Sequence, residues 1–167
     1  METERKYLIR ELPEDLESCS HHAIEQGYIC TDPVIRIRRE DEARYLTCKG
    51  RGLISRQELN LPMSAEAYEK LKNKVEGYVI KKTRYLIPLE KPRFTEGFIP
   101  AEGLSLKVEL DVFDEPFSPL ILAEVEFPDK ETADAYIMED WFLRDVSEDP
   151  RYHNSNMSEN GPQASLP

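Results

Sequence analysis

Over most of this chain, polar and apolar residues alternate with a period of two. That is the spacing of a β-strand with one wet face and one buried face, because successive side chains leave a strand on opposite sides. Residues 2–9 open the series, with Glu2, Glu4 and Lys6 on one side and Thr3, Arg5 and Tyr7 on the other. Further strands are expected over residues 23–30, 34–39, 44–49, 54–61, 78–87, 105–113 and 120–127, with a weaker one around 94–99. Asp32-Pro33, the acidic run Glu40-Asp41-Glu42 and Gly50-Arg51-Gly52 mark turns, and Pro62 ends the strand before it. Helical signals are fewer. Pro13-Glu14-Asp15 suits a first turn, so a short helix is expected over 13–20. Ser64 caps a helix running to about residue 74, with Ala67, Tyr68, Leu71 and Val75 on one face and Gly77 as its stop. Asp129 caps another over 129–138. Strands outnumber helices and follow one another across short turns, which favours an antiparallel sheet closing into a barrel over a βαβ fold. The class is α+β, mainly β.

Composition narrows the setting. A chain of 167 residues suits one domain with a real core. A formal net charge of -11 argues against nucleic acid as a partner, yet leaves room for a small polyanion in a locally basic site. The three cysteines, Cys19, Cys30 and Cys48, lack metal-type spacing and read as reduced thiols, so a cytoplasmic setting is expected. There is no signal-peptide pattern and no apolar stretch long enough to span a bilayer, so no membrane partner is expected. From Ser147 the chain turns polar, and residues 157–167 are expected to be a disordered tail behind a domain of residues 1–156.

The polar faces of the strands are unusual in kind. Arg36 and Arg38 share a face, as do Thr47 and Lys49, then Arg56, Glu58 and Asn60, then Lys82 and Arg84, then Lys107, Glu109 and Asp111, then Glu124 and Glu126. For any single strand a solvated face is the commoner explanation. The set is harder to explain that way, because Arg, Lys, Glu and Asp dominate and several strands carry one sign only. If the sheet closes, one face of every strand points inward. Helices and loops covering an apolar exterior would leave a charged lumen. Its arginines and lysines suit an anion with several phosphate groups. Glu2, Glu4, Glu124 and Glu126 are oxygen ligands suited to Mg²⁺ or Mn²⁺.

Taken in order, Glu2-x-Glu4-x-Lys6, Gln26-Gly27-Tyr28, Arg36-x-Arg38, Leu46-Thr47-x-Lys49, Arg56-x-Glu58, Lys82-Thr83-Arg84-Tyr85, Glu109-Leu110-Asp111 and Ala123-Glu124-Val125-Glu126 resemble the signature of the CYTH superfamily, the triphosphate tunnel metalloenzymes. Trp141-Phe142, Asp145-Val146 and Arg151-Tyr152-x-Asn154 resemble the C-terminal stretch of its small bacterial members. The resemblance implies an eight-stranded antiparallel β-barrel forming a tunnel, and metal-dependent hydrolysis or cyclisation of a triphosphate. It implies that Lys6, Arg36, Arg38, Lys49, Arg56, Lys82 and Arg84 hold the substrate. It implies that Glu2, Glu4, Glu58, Asp111, Glu124 and Glu126 serve the metal, and that Lys6, Glu4, Glu126 and Tyr28 stand closest to the chemistry. Family members are often homodimers, which makes a second copy an expected partner.

The expected activity is hydrolysis of inorganic triphosphate to pyrophosphate and phosphate. A class IV adenylate cyclase would use the same triphosphate grip, and a nucleoside or thiamine triphosphatase is a further choice. A non-catalytic polyphosphate or nucleotide sensor would keep the basic residues but have no need of the two Glu-x-Glu pairs. Other residues invite roles and read more simply. His21-His22 point to opposite sides of a strand and read as surface residues. His153 reads as a solvated loop residue, Trp141 as a packing anchor, and Glu40-Asp41-Glu42 as a wet turn.

Overall fold

The computed structural model describes residues 2–50 and 55–163, with the backbone alone for Glu2, Ser55 and Arg56. The elements in order are β1 (Glu2–Ile9), β2 (Ser20–Thr31), β3 (Val34–Glu40), β4 (Ala43–Lys49), β5 (Ser55–Arg56), β6 (Glu58–Pro62), α1 (Ala65–Lys72), β7 (Glu76–Leu89), β8 (Arg93–Phe94), β9 (Leu106–Phe113), β10 (Ile121–Glu126), α2 (Lys130–Ala135), β11 (Tyr136–Ile137), β12 (Phe142–Asp145) and α3 (Asn154–Asn160). All pairings are antiparallel, in the order β1-β10-β9-β7-β2-β3-β4-β6. Closure falls to the stretch holding β5 and β6. β6 pairs with β4, while β5, one residue upstream, pairs with β1 through Glu2↔Arg56 and Thr3↔Ser55. The ladder breaks at Gln57, so at this corner chain continuity completes the ring of eight staves. β12 takes the rest of the same edge of β1, through Tyr7↔Asp145 and Leu8↔Arg144.

The strand parity read from the sequence is the parity of the barrel wall. Tyr7, Val108, Leu110, Ala123 and Val125 point outward into an apolar layer capped by Ala133, Tyr136 and Phe142. Tyr7 stacks on Phe142 at 4.6 Å between ring centres, and Trp141 packs edge-on against Phe142 at 4.5 Å. On the other flank α1 is tied down through a single buried carboxylate. Glu25 accepts hydrogen bonds from the Tyr68 hydroxyl (3.0 Å) and from Lys72 (2.8 Å).

The lumen parity is not polar along its whole length. Leu8, Leu122, Ile80 and Phe113 share the faces of Lys6, Glu124, Lys82 and Asp111, and they join Phe117, Leu120, Val146, Tyr152 and Met157 in a second buried cluster. This cluster fills one end of the barrel. The expected tunnel is thus blind on the β1-β10-β9-β7 side.

Several local expectations change. Asp15 is left-handed (φ 57°), so residues 14–15 turn, only Leu16–Ser18 makes a 3-10 turn, and Ser20 already belongs to β2. Gly77 does not stop α1, which ends at Lys72. It lies inside β7 with φ 73°, where a Cβ would stand 2.2 Å from the Ser158 carbonyl oxygen. The Asp129 cap is as expected, its side chain accepting from the Thr132 amide. α2 nevertheless ends at Ala135, because Tyr136–Ile137 leave it to pair with β8. Of the expected 94–99 strand only Phe94 pairs, and the short strand that holds it begins one residue earlier, at Arg93. The boundary drawn at 156/157 cuts α3, whose Met157 is fully buried and whose Ser158 hydroxyl donates to the Tyr78 carbonyl at 2.8 Å. The turn at Arg51-Gly52, the start of the strand at Ile54 and residues 164–167 lie outside the described residues. No described helix is long and apolar enough to cross a membrane.

Candidate active site

Inside the barrel lies a cavity of about 260 Å³. That is below the usual volume of drug-sized ligand pockets and suits a small ion. One wall belongs to β3 and β4. Arg36 and Arg38 are 5% and 8% exposed. Among the described residues neither has a carboxylate within ion-pair distance; their hydrogen bonds go to neutral groups. Arg36 donates to the Thr47 hydroxyl at 3.0 Å, and Arg38 donates to the Gln26 amide oxygen at 3.0 and 2.8 Å. Burial, and then the adjacent Arg38, depress the Arg36 guanidinium below its ordinary value. A buried cation beside a like charge is a standing cost that a bound anion would relieve. Lys49, at the foot of this wall, reaches Glu58 at 2.7 Å, and Asn60 donates to the same carboxylate at 2.6 Å.

The opposite wall, on β1, β10, β9 and β7, is internally neutralised. Lys6 contacts Glu124 and lies 3.2 Å from Glu4. Arg84 grips both Asp111 oxygens at 2.7 Å, reaches Glu124 at 2.6 Å and also contacts Glu109. Burial works against Lys6, but Glu124 and Glu4 outweigh it and hold its ammonium above the ordinary value. Burial would raise Glu124, but Lys6 and Arg84 hold it well below the carboxylate range. The register explains these contacts, since Lys6↔Glu124, Glu124↔Glu109 and Asp111↔Arg84 are direct cross-strand neighbours.

Carboxylates gather where the two walls meet. Glu4 and Glu126 are paired in register. Burial first, then Glu109, Glu4 and Glu58, push the Glu126 carboxyl above its usual value. Glu4, Glu58, Glu109 and Glu126 all line the cavity. Among the described residues no three acidic, His or Cys side chains stand close enough to coordinate an ion as they are. The donor set fits a hard divalent cation all the same: it is all oxygen, it is mutually repulsive, and it sits beside the anion wall, where phosphate oxygens would complete the coordination.

Of the residues expected from sequence, Glu4, Lys6, Tyr28, Arg36, Arg38, Lys49, Glu58, Arg84, Glu124 and Glu126 line this cavity. The side chains of Glu2 and Arg56 lie outside the described residues. Lys82 and Asp111 require correction. Both side chains are wholly buried behind the cavity, in contact with each other, and Asp111 spends both oxygens on Lys82 and Arg84. They brace Arg84, and the substrate role expected for Lys82 and the metal role expected for Asp111 do not fit that position. His153 is buried, not solvated, with Nε2 at 2.8 Å from the Ser147 carbonyl oxygen. With Asn154 and Ser155, on the first turn of α3, it borders the cavity. His22 and Glu40 also line it. Strand parity with the arginines could have found Glu40, while no sequence signal marks the α3 turn.

A closed antiparallel barrel with an uncompensated cationic wall facing a carboxylate corner defines a container for a small polyanion and its counter-cation. No protein-family model matches the chain. It is 35% identical to the inorganic triphosphatase of Nitrosomonas europaea over 162 residues, 94% of this chain and 96% of that one. It is 36% identical to the inorganic triphosphatase of Acetivibrio thermocellus over 140 residues, 81% and 79% of the two chains. The fold matches the crystal structure of the inorganic triphosphatase NE1496 at a TM-score of 0.68 and 31% identity, covering 98% of this chain and 97% of that one. It also matches the PH1012 protein of Pyrococcus horikoshii at 0.54 and 18%, covering 81% and 83%, a likeness of fold alone. The chain belongs to the CYTH superfamily, the triphosphate tunnel metalloenzymes.

Proposed function

We propose that this protein is an inorganic triphosphatase that uses Mg²⁺ or Mn²⁺ to hydrolyse tripolyphosphate to pyrophosphate and phosphate. The observation that carries the reading is the pair of buried guanidiniums, Arg36 and Arg38, without a carboxylate partner among the described residues. A wall built only for stability would pair them. The activity of the two bacterial relatives and the modest cavity agree with it.

In this reading Arg36, Arg38, Lys49 and Arg84 hold the phosphoryl groups. Lys6 stands between the cation corner and the anion wall. Glu4, Glu126 and Glu109 would hold the metal, whose part is charge neutralisation and Lewis acidity at the phosphoryl oxygens. The wall itself contributes positioning and fixed positive charge, as phosphoryl transfer requires. The test is a substrate panel with Mg²⁺ and Mn²⁺, comprising tripolyphosphate, ATP, GTP, thiamine triphosphate and long-chain polyphosphate, with phosphate and cyclic AMP both quantified. Phosphate and pyrophosphate from tripolyphosphate are the expected products. Cyclic AMP as the main product would overturn the hydrolase reading.

A further inference from the structure

The charged walls account for binding an anion and a cation, but not for the proton. Written for the fully ionised polyphosphates, the reaction runs from tripolyphosphate(5−) and water to pyrophosphate(4−), hydrogen phosphate(2−) and one proton. A group must take that proton from the attacking water and pass it out. Lys6 and Arg84 are held protonated by their carboxylates, and Glu124 is held ionised by its two cations.

His22 lies apart from these networks. It is on β2, directly across from Arg84 of β7, and it lines the same cavity. Its Nδ1 lies 2.7 Å from an Asp41 carboxylate oxygen. Asp41 is itself pinned. Its other oxygen accepts from the Ala23 amide at 2.9 Å, its own amide donates to the Ala23 carbonyl at 2.9 Å, and its backbone is left-handed at φ 49°. A carboxylate fixed at one nitrogen holds the proton there, orients the ring and leaves Nε2 as the proton-accepting atom. The His22 side chain is 35% exposed, so one ring can face the cavity and still reach water.

The groups around it are mixed in charge. Glu40 comes from the end of β3, Asp41 from the β3–β4 turn and Arg84 from β7. The hydrogen bonds from His22 and from the Ala23 amide hold the Asp41 carboxyl below its usual value, and His21 on the same strand as His22 lies outward against Tyr85. Lys107 and Glu109 belong to the cavity lining contributed by β9.

Resting on the triphosphatase reading, we propose that His22 is the proton acceptor and proton exit of this site, with Asp41 its positioning residue. Water oxygen bonds to the terminal phosphorus and the bridging P–O bond breaks, its electron pair leaving on pyrophosphate. The water proton goes to Nε2, and the imidazolium, stabilised by Asp41, releases it at the exposed edge.

His22→Gln keeps a polar side chain of similar reach without a titrating ring, and Asp41→Asn keeps the turn geometry. Both are assayed with tripolyphosphate across about pH 5–9, beside thermal midpoints and tripolyphosphate binding by calorimetry. His22→Gln should lower kcat about 100-fold, with KM and binding near wild type, and should erase the acidic limb of the kcat profile. Asp41→Asn should lower kcat less and move that limb to lower pH. A variant that retains the wild-type limb and turnover overturns the proposal. So does a lower thermal midpoint with unchanged kcat, which would leave the pair a cap on the β3–β4 turn. Absence of tripolyphosphatase activity in the wild type would instead fail the underlying reading.

Discussion

Replacing Arg36 with methionine separates function from stability at the point where the two conflict. In the ligand-free protein Arg36 is buried, hydrogen-bonded to Thr47 and repelled by Arg38. Its guanidinium is depressed yet remains protonated at any ordinary assay pH, so the cost of burying it does not vary between about pH 6 and 8. A buried ion without a counter-charge costs several kcal/mol, and a close like-charged pair adds about 2–4 kcal/mol at an effective dielectric near 20. Against this, Met loses the Thr47 bond, worth about 1–2 kcal/mol, and fills most of the volume. These terms do not add in full; replacing buried ionic groups by apolar ones of similar volume stabilises by about 1–4 kcal/mol, and that is the expectation for this variant without ligand. At roughly 2–4 °C per kcal/mol for a domain of this size, that is a midpoint raised by several degrees. Tripolyphosphate should do the opposite. At a concentration about 100-fold above Kd it stabilises the wild type by about 2.7 kcal/mol. Losing one charged contact of about 1.5–3 kcal/mol weakens binding roughly 10–150-fold, and the same concentration then protects by only about 0.3–1.4 kcal/mol. Differential scanning fluorimetry with and without tripolyphosphate reads both effects. A variant that melts lower than wild type and keeps its full ligand-induced shift would refute the reasoning, by making Arg36 a structural residue.

Asp111→Asn should cost about 3–5 kcal/mol in urea denaturation, because it leaves Lys82 and Arg84 buried with a weakened partner, whereas a loss below about 1 kcal/mol would mean the cluster is not tightly coupled. Glu126 is held above its usual value in the folded state, so its ionisation costs folded-state stability as pH rises through that value. The thermal shift produced by Mg²⁺ or Mn²⁺ should therefore grow from about pH 4 to about pH 7, and Glu126→Gln should flatten that dependence; a shift of constant size would place the cation elsewhere. Gly77→Ala should release α3 from β7, since a Cβ there meets the Ser158 carbonyl oxygen at 2.2 Å, and limited proteolysis should then cut near residues 153–163 much faster than in wild type.

Which residues face the lumen was legible because a strand's period of two needs no knowledge of neighbours. Arg36 with Arg38 and Glu124 with Glu126 followed from it directly. How deep each residue sits was not legible. Lys82 and Arg84 share a face, yet Lys82 is sealed against Asp111 and Phe113 while Arg84 borders the cavity. That difference depends on the stagger between strands, which sets which carboxylate each cation meets. Parity does extend to the blind end, where Leu8 and Leu122 lie on the faces of Lys6 and Glu124. Outside the strands the signal fails. The Ser- and Asn-rich stretch after His153 has the composition of a loose tail, and only the seat for Met157 among Tyr152, Val146 and Leu122 makes it a helix. The burial of His153, at the start of the same turn, is hidden from the sequence for the same reason. Because adjacent strand positions diverge, His21 and His22 cannot share a ligand, and that divergence is what aims His22 inward while His21 lies outward against Tyr85.

The two walls differ in a way that couples their ligands. Arg36 and Arg38 are free of carboxylates among the described residues, so anion binding there displaces no ion pair. Lys6 is committed, with Glu124 in contact and Glu4 at 3.2 Å. On the proposed function, a divalent cation held at Glu4 and Glu126 would compete with Lys6 for Glu4. It would thereby loosen the Lys6 ammonium toward an anion beside it. It would also favour the ionised form of Glu126, which burial and its acidic neighbours disfavour, and add positive charge next to the phosphate site. Each effect would strengthen triphosphate binding in the presence of metal, and linkage requires that triphosphate then strengthen metal binding by the same factor. Without a cation, Lys6 stays on its carboxylates and the mixed wall offers a triphosphate little beyond Arg84, itself held by Asp111, Glu124 and Glu109. On this reading the pairing of Lys6 would tie substrate grip to metal loading, while Arg36 and Arg38, without a carboxylate partner among the described residues, would hold the anion in either state.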